Sequence, residues 1–161
     1  MSNAYEASSR QRLSRLRFSS RRLYPRELRL LASLGDAEMT RTEFEDLVEG
    51  ALKKLPSPFR DKLQNIAVVV EDWADDETLE DMGIEPPDTL YGLYRGVDLT
   101  RRDSYYGNVL PDTIHIYQGP IEEDCDGPEE MAELVREVVS HEVGHYFGLD
   151  DETMEDIEEG N

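Results

Sequence analysis

His141-Glu142-Val143-Gly144-His145-Tyr146-Phe147-Gly148-Leu149-Asp150-Asp151 closes a segment patterned as a long helix, and the rest of the chain is read outward from it. Two histidines four apart on a helix share one face and lie about one turn from each other. Their imidazoles can therefore reach a single zinc ion at roughly 2.0–2.1 Å each. Glu142 follows the first histidine and is offset around the helix, so it can reach a water at the ion without ligating it. Gly148 can end the helix in a left-handed conformation that only glycine adopts cheaply. The chain then turns back and brings Asp151 round as a third ligand; Asp150 and Glu152 take that place if the helix ends a residue early or late. Of the 3 histidines in the chain, two fall in this stretch. Three protein ligands leave a fourth position for water, which is the arrangement of a catalytic rather than a structural zinc site.

Pro128 is expected to start the motif helix, which continues to about Phe147. Leu134, Val138, His141 and His145 form one stripe, and Met131, Val135, Val139, Glu142 and Tyr146 run alongside. Val143 and Phe147 make the opposite side apolar too. A helix apolar nearly all round must be covered on more than one side, which predicts a central helix pressed between a sheet and another helix. The histidines are then set in a rigid, partly dry scaffold, as a preorganised metal site requires.

Upstream, Thr40 or Thr42 caps a helix running to about Leu55, with the capping-box spacing at Thr40 and Glu43 and a stop at Pro56 and Pro58. Three strands are predicted: Asn65 to Trp73, β-branched and buried; Leu90 to Leu99; and Asp112 to Gln118. Gly92 and Gly96 in the second suggest a bulge or a close backbone approach. In the third, Ile114 and Ile116 share one face, and His115 and Tyr117 the other. The acidic stretch Asp75 to Asp81 is expected to make one or two helical turns, and residues 24–34 a short helix.

A length of 161 residues suits one domain with a proper core, and no apolar run approaches the length of a bilayer span. No apolar core segment follows the basic N-terminus, so no signal peptide is expected and the expected location is cytoplasmic. Cys125 is the single cysteine, which closes both an internal disulfide and a zinc–thiolate site. The net charge of −20 is unevenly spread: residues 1–36 hold eight arginines against Glu6, Glu27 and Asp36, giving +5, so the remainder carries −25. So acidic a body repels nucleic acid and anionic membranes. Nucleic acid is expected as a partner only through the arginine-rich head, residues 1–36, which is read as a flexible tail before a single domain at 37–161.

With its H-E-x-x-H-x-x-G-x-x-D motif at His141–Asp151, the chain resembles the small bacterial zincin-like metallopeptidases, the minimal zincins. Leu90-Tyr91-Gly92-Leu93-Tyr94-Arg95-Gly96-Val97 and Leu110-Pro111-Asp112-Thr113-Ile114-His115-Ile116-Tyr117 are similar to that family's pattern in order and distance, so the resemblance covers roughly residues 40–158. It implies an α+β fold with a small mixed sheet of three to four strands, a backing helix and a central zinc helix. It also implies one Zn2+ held by His141, His145 and Asp151, with Glu142 as general base, and a peptide or protein substrate. Zincins hold an extended peptide along the edge strand before the active helix, which on this resemblance is residues 113–118. The acidic surface favours basic substrates.

Larger zincins place a histidine where this chain has Asp151 and follow it with a Met-turn; Met154 is too close for that turn and is read as packing. Sixteen residues follow His145, too few for a downstream ligand-bearing helix and the lobe that walls a deep cleft. Tyr117, His115, Tyr105 and Tyr106 are candidates for a second electrophile beside zinc. The alternative to a peptidase is a catalytically quiet zinc-binding interaction module.

Overall fold

The computed structural model describes residues 17–18, 39–102 and 111–158. The predicted short helix at 24–34 lies outside these, as do Tyr105 and Tyr106. A two-residue strand, β1 (Arg17–Phe18), comes first. Thr40 then caps helix α1 (Arg41–Lys54), with both halves of the capping box formed: its hydroxyl accepts from the Glu43 N–H, and the Glu43 carboxylate accepts from the Thr40 N–H at 2.8 Å. Pro56 ends that helix, and the short turn α2 (Ser57–Arg60) leads into β2 (Ile66–Glu71). The acidic stretch forms α3 (Asp76–Asp81), capped by Asp75.

The predicted second strand is divided, into β3 (Thr89–Leu90) and β4 (Gly92–Arg95), followed by a 3-10 turn at Leu99–Arg101. Then come β5 (Asp112–Tyr117), α4 (Gln118–Asp124), α5 (Pro128–Tyr146) and α6 (Asp151–Glu158). Helix α4 replaces the predicted end of the third strand, since the chain turns at Gln118-Gly119-Pro120. Helix α6 takes eight of the sixteen residues that follow His145, a stretch read as too short for a downstream ligand-bearing helix together with a cleft-walling lobe.

The main sheet is mixed, in the order β2-β5-β4. β5 runs parallel to β2, with Val68 opposite Ile114, and antiparallel to β4, with Tyr94 opposite Ile114. β1 adds to β3 in a separate antiparallel pair, Arg17 opposite Leu90, so two residues of the arginine-rich head are attached to the acidic body.

Alternation along the strands divides the apolar residues into two clusters. Ile114, Ile116 and Tyr94 face α1 and α5, packing with Phe44, Val48, Val135, Val138, Val139 and Val143 in the main core. Leu93 and Tyr117 join Leu90, Met82 and Ile84 in a smaller cluster. Helix α5 is thus covered by the sheet and by α1, as its all-round apolar pattern demands. No helix of the described residues is long and apolar enough to cross a membrane.

Candidate metal centre

The site begins with the way α5 stops. Gly148 adopts φ +86°, and two hydrogen bonds close the end: Gly148 N–H donates to His145 O at 2.9 Å, and Leu149 N–H to Gly144 O at 3.1 Å. This is a Schellman cap, which needs a left-handed residue and therefore favours glycine. The reversal also carries the Leu149 carbonyl back to within 3.1 Å of His145 Nδ1. Nδ1–H donating to that carbonyl leaves the lone pair on Nε2, the tautomer a metal needs.

Two adjacent acids then divide the work. Asp150 caps α6, its Oδ1 accepting from the Thr153 N–H at 3.0 Å and the Thr153 hydroxyl at 2.5 Å. Asp151, first residue of α6, aims back at α5: its Oδ1 lies 3.2 Å from His141 Nε2 and 3.2 Å from His145 Nε2. Glu152 is exposed. Although the Asp151 side chain is nearly half exposed, its Oδ1 is buried.

Among the described residues, His141 Nε2, His145 Nε2 and Asp151 Oδ1 are the buried side-chain polar atoms without a hydrogen-bond partner, although Oδ1 stands 3.2 Å from each nitrogen. Leaving each such atom unsatisfied costs about 1–3 kcal/mol. A cation bound by all three removes that cost. Donor atoms at about 2.0–2.1 Å from a tetrahedral zinc ion sit roughly 3.3 Å from one another, which is close to the 3.2 Å from Asp151 Oδ1 to each imidazole nitrogen. All three ligand atoms lie within 4.8 Å of one another, so the donor set fits one small divalent ion. Burial first, and the adjacent His141 ring second, push the His145 imidazole below its ordinary range, against Asp151 and Leu149, which raise it. The neutral, ligating form is thereby favoured.

Glu142 sits one residue beyond the first histidine and is fully buried. Its Oε2 accepts the Tyr94 backbone N–H at 2.8 Å, so β4 holds the carboxylate from the sheet side. Gly92 makes the room: a methyl group there would stand 2.8 Å from Val138 Cγ1 and 3.1 Å from Glu142 Oε1. The close approach suggested by Gly92 in a strand is therefore real, and it cradles Glu142.

The chain matches the zincin-like metallopeptidase family over residues 63–161. It belongs to that family. No curated protein matches it. The match starts after α1, and it takes in the whole mixed sheet, α5 and α6 of this zincin-like chain.

Two sequence expectations fail in this zincin-like fold. Residues 113–118 do not form an edge: β5 is the central strand, hydrogen-bonded to β2 on one side and β4 on the other, and cannot accept a peptide by strand addition. Tyr117 and His115 alternate away from the α5 side of the sheet and are not brought to the histidines. Tyr117 is packed with Leu90 and Leu93, and His115 bonds Glu71 at 2.7 Å and Thr113 at 3.1 Å.

Residues that the motif does not name also shape the site. Tyr146 donates its hydroxyl to the Lys62 and Gln64 carbonyls, and Arg102 lies over its ring at 4.9 Å. Arg102 also pairs with buried Asp112, which accepts the Tyr94 hydroxyl at 2.8 Å. This network ties β4, β5 and the end of α5 together. Its one sequence signal is Asp112, an acidic residue on the same strand face as Ile114 and Ile116.

Proposed function

We propose that this chain is a zinc-dependent peptidase in which His141, His145 and Asp151 hold one Zn2+ and Glu142 is the general base. The observation that carries the reading is the convergence of three buried, unpartnered donor atoms on one point. Bound zinc supplies a Lewis acid that polarises the scissile carbonyl and lowers the pKa of a water from about 15.7 to about 7.

The chain's own residues do the rest. Leu149 keeps the His145 proton on Nδ1, and burial keeps the ring neutral. Glu142 takes a proton from the attacking water and delivers it to the leaving amine. The Tyr94 N–H holds that carboxylate in one orientation for both transfers. The substrate is a peptide or protein, and the charge of the body favours basic sequences around the scissile bond. Two imidazoles and a carboxylate also accept other divalent ions, so the reading concerns the site before the metal.

The complete burial of Glu142 favours one other reading, a zinc-binding module without turnover. Glu142→Gln separates the two. Wild-type protein loaded with zinc should cleave members of a basic peptide library, and the variant should keep its zinc while losing about a hundredfold or more in rate. Unaltered hydrolysis by Glu142→Gln removes the residue from the chemistry. Zinc-loaded wild type that cleaves no member of the library establishes the quiet module.

A further inference from the structure

Glycine inside a helix costs about 1 kcal/mol relative to alanine, so an interior glycine calls for a local reason. Gly144 sits in α5 between the two histidines, three residues after His141 and one before His145, and it is buried. Its reason is Met154. A methyl group built on Gly144 falls inside the van der Waals envelope of Met154 Sδ and 3.4 Å from Met154 Cγ. Met154 is only 6% exposed, so the thioether can yield only by shifting within the packed interior.

The position of Met154 on its own helix gives this contact a consequence for the site. Residues three apart on a helix share a face. Asp151 and Met154 are so spaced on α6, and both point back at α5: Met154 onto the Gly144 backbone, Asp151 onto the two imidazoles. Helix α6 has only eight residues, too short to be rigid without tertiary packing. It therefore depends on its docking, and the contact at Gly144 lies between the two residues whose nitrogens Asp151 must meet.

We propose that Met154, seated on Gly144, is a positioning residue that sets the distance between α6 and α5 and thereby holds Asp151 Oδ1 at the metal. The inference rests on the reading of His141, His145 and Asp151 as ligands. Gly144 is small because the thioether needs its backbone surface. Met154 is unbranched and polarisable, which suits a side chain laid flat across a helix. Any added bulk at Gly144 lifts the face of α6 that carries the third ligand.

The test is zinc affinity, measured on the full chain by competition with a chromophoric chelator, beside the visible spectrum of the Co2+-loaded protein and thermal unfolding without metal. Gly144→Ala should weaken zinc about ten- to a hundredfold, the range for residues that orient metal ligands. Its Co2+ spectrum should lose the intensity typical of four-coordinate sites. Gly144→Ala combined with Met154→Ala should recover part of the lost affinity, because the truncated side chain makes room for the new methyl. A packing contact that merely supports the fold would show its recovery in the metal-free unfolding and leave the affinity of the folded chain unchanged. Met154→Ala alone, which leaves α5 untouched, should weaken zinc several-fold and keeps the idea testable if Gly144→Ala does not fold.

Zinc affinity unchanged in both Gly144→Ala and Met154→Ala overturns the proposal, as does a double variant weaker than Gly144→Ala. Wild-type protein that takes up no zinc is a different result: it removes the ligand assignment first, and this inference with it.

Discussion

The Tyr94 backbone N–H and Glu142 Oε2 stand 2.8 Å apart, a buried hydrogen bond between the sheet's edge strand and the motif helix. It lets a fully buried carboxylate persist beside two histidines, because the sheet satisfies it from within. The approach of β4 that makes it possible depends on a missing side chain at Gly92.

Gly92→Ala should therefore act on stability and on Glu142 together. The added methyl meets Val138 and Glu142, and overpacking of this kind costs about 1–3 kcal/mol. Urea unfolding of the metal-free protein measures it; a variant as stable as wild type would mean that β4 yields without cost.

Asp150→Ala and Asp151→Ala should differ in kind. The first removes the cap of α6, costing about 1 kcal/mol of stability and only a little zinc affinity. The second should lose most zinc affinity with little effect on unfolding of the metal-free protein, since it leaves the cap in place and relieves a buried orphan atom. Isothermal titration with Zn2+ and thermal melts, compared side by side, check both; the reverse pattern would exchange the roles assigned to the two acids.

These two acids mark how far the sequence could be read. The motif helix was legible because its stripes, proline start and Gly148 stop are local signals, and the capping box at Thr40 and Glu43 was legible for the same reason. The sequence favours Asp151 as the third ligand but leaves Asp150 and Glu152 open, because which acid turns inward depends on which one caps α6, and adjacent acids share the same local signal. The central place of β5 was hidden because strand order depends on pairing with a distant segment, β2, rather than on the composition of β5 itself. The turn of the chain into α4 was hidden by Gly119-Pro120, which reads as a loop. Gly144 carried a signal, a helical glycine away from any end, but nothing local identifies Met154 as its partner.

The buried pair of Arg102 and Asp112 should be worth more intact than broken. Arg102→Met removes the Arg102 guanidinium from Asp112, which is almost fully buried, and losing one partner of such a pair costs about 3–5 kcal/mol. Adding Asp112→Asn should recover part of the loss, since the amide is neutral and still accepts the Tyr94 hydroxyl. Denaturant unfolding of the single and double variants decides it, and a double variant less stable than Arg102→Met speaks against the charge argument.

Alkaline pH should destabilise the fold through its tyrosines. Burial comes first in raising Tyr91, Tyr94 and Tyr117, followed by hydrogen bonds to Asp124 for Tyr91 and to Asp112 for Tyr94, and by the Glu71 charge for Tyr117. Tyr117 is pushed up to about 12. An unfolded tyrosine ionises near pH 10, so the folded state keeps protons that the unfolded chain has released. The stabilisation is fully present below about pH 10 and is lost as pH rises through the raised folded values. Phenolate absorbance should therefore rise in two stages, the second coincident with loss of circular dichroism; a single titration complete before unfolding would show these rings to be open to solvent.

The most direct measurement is the zinc content and affinity of the wild-type chain against His141→Ala, His145→Ala and Asp151→Ala, each shown to be folded. One Zn2+ per wild-type chain, with affinity sharply reduced by every one of the three substitutions, is the result expected from donor atoms that converge without other partners. A wild-type chain that holds no zinc, or one whose zinc survives loss of either histidine unchanged, would contradict the assignment of this site.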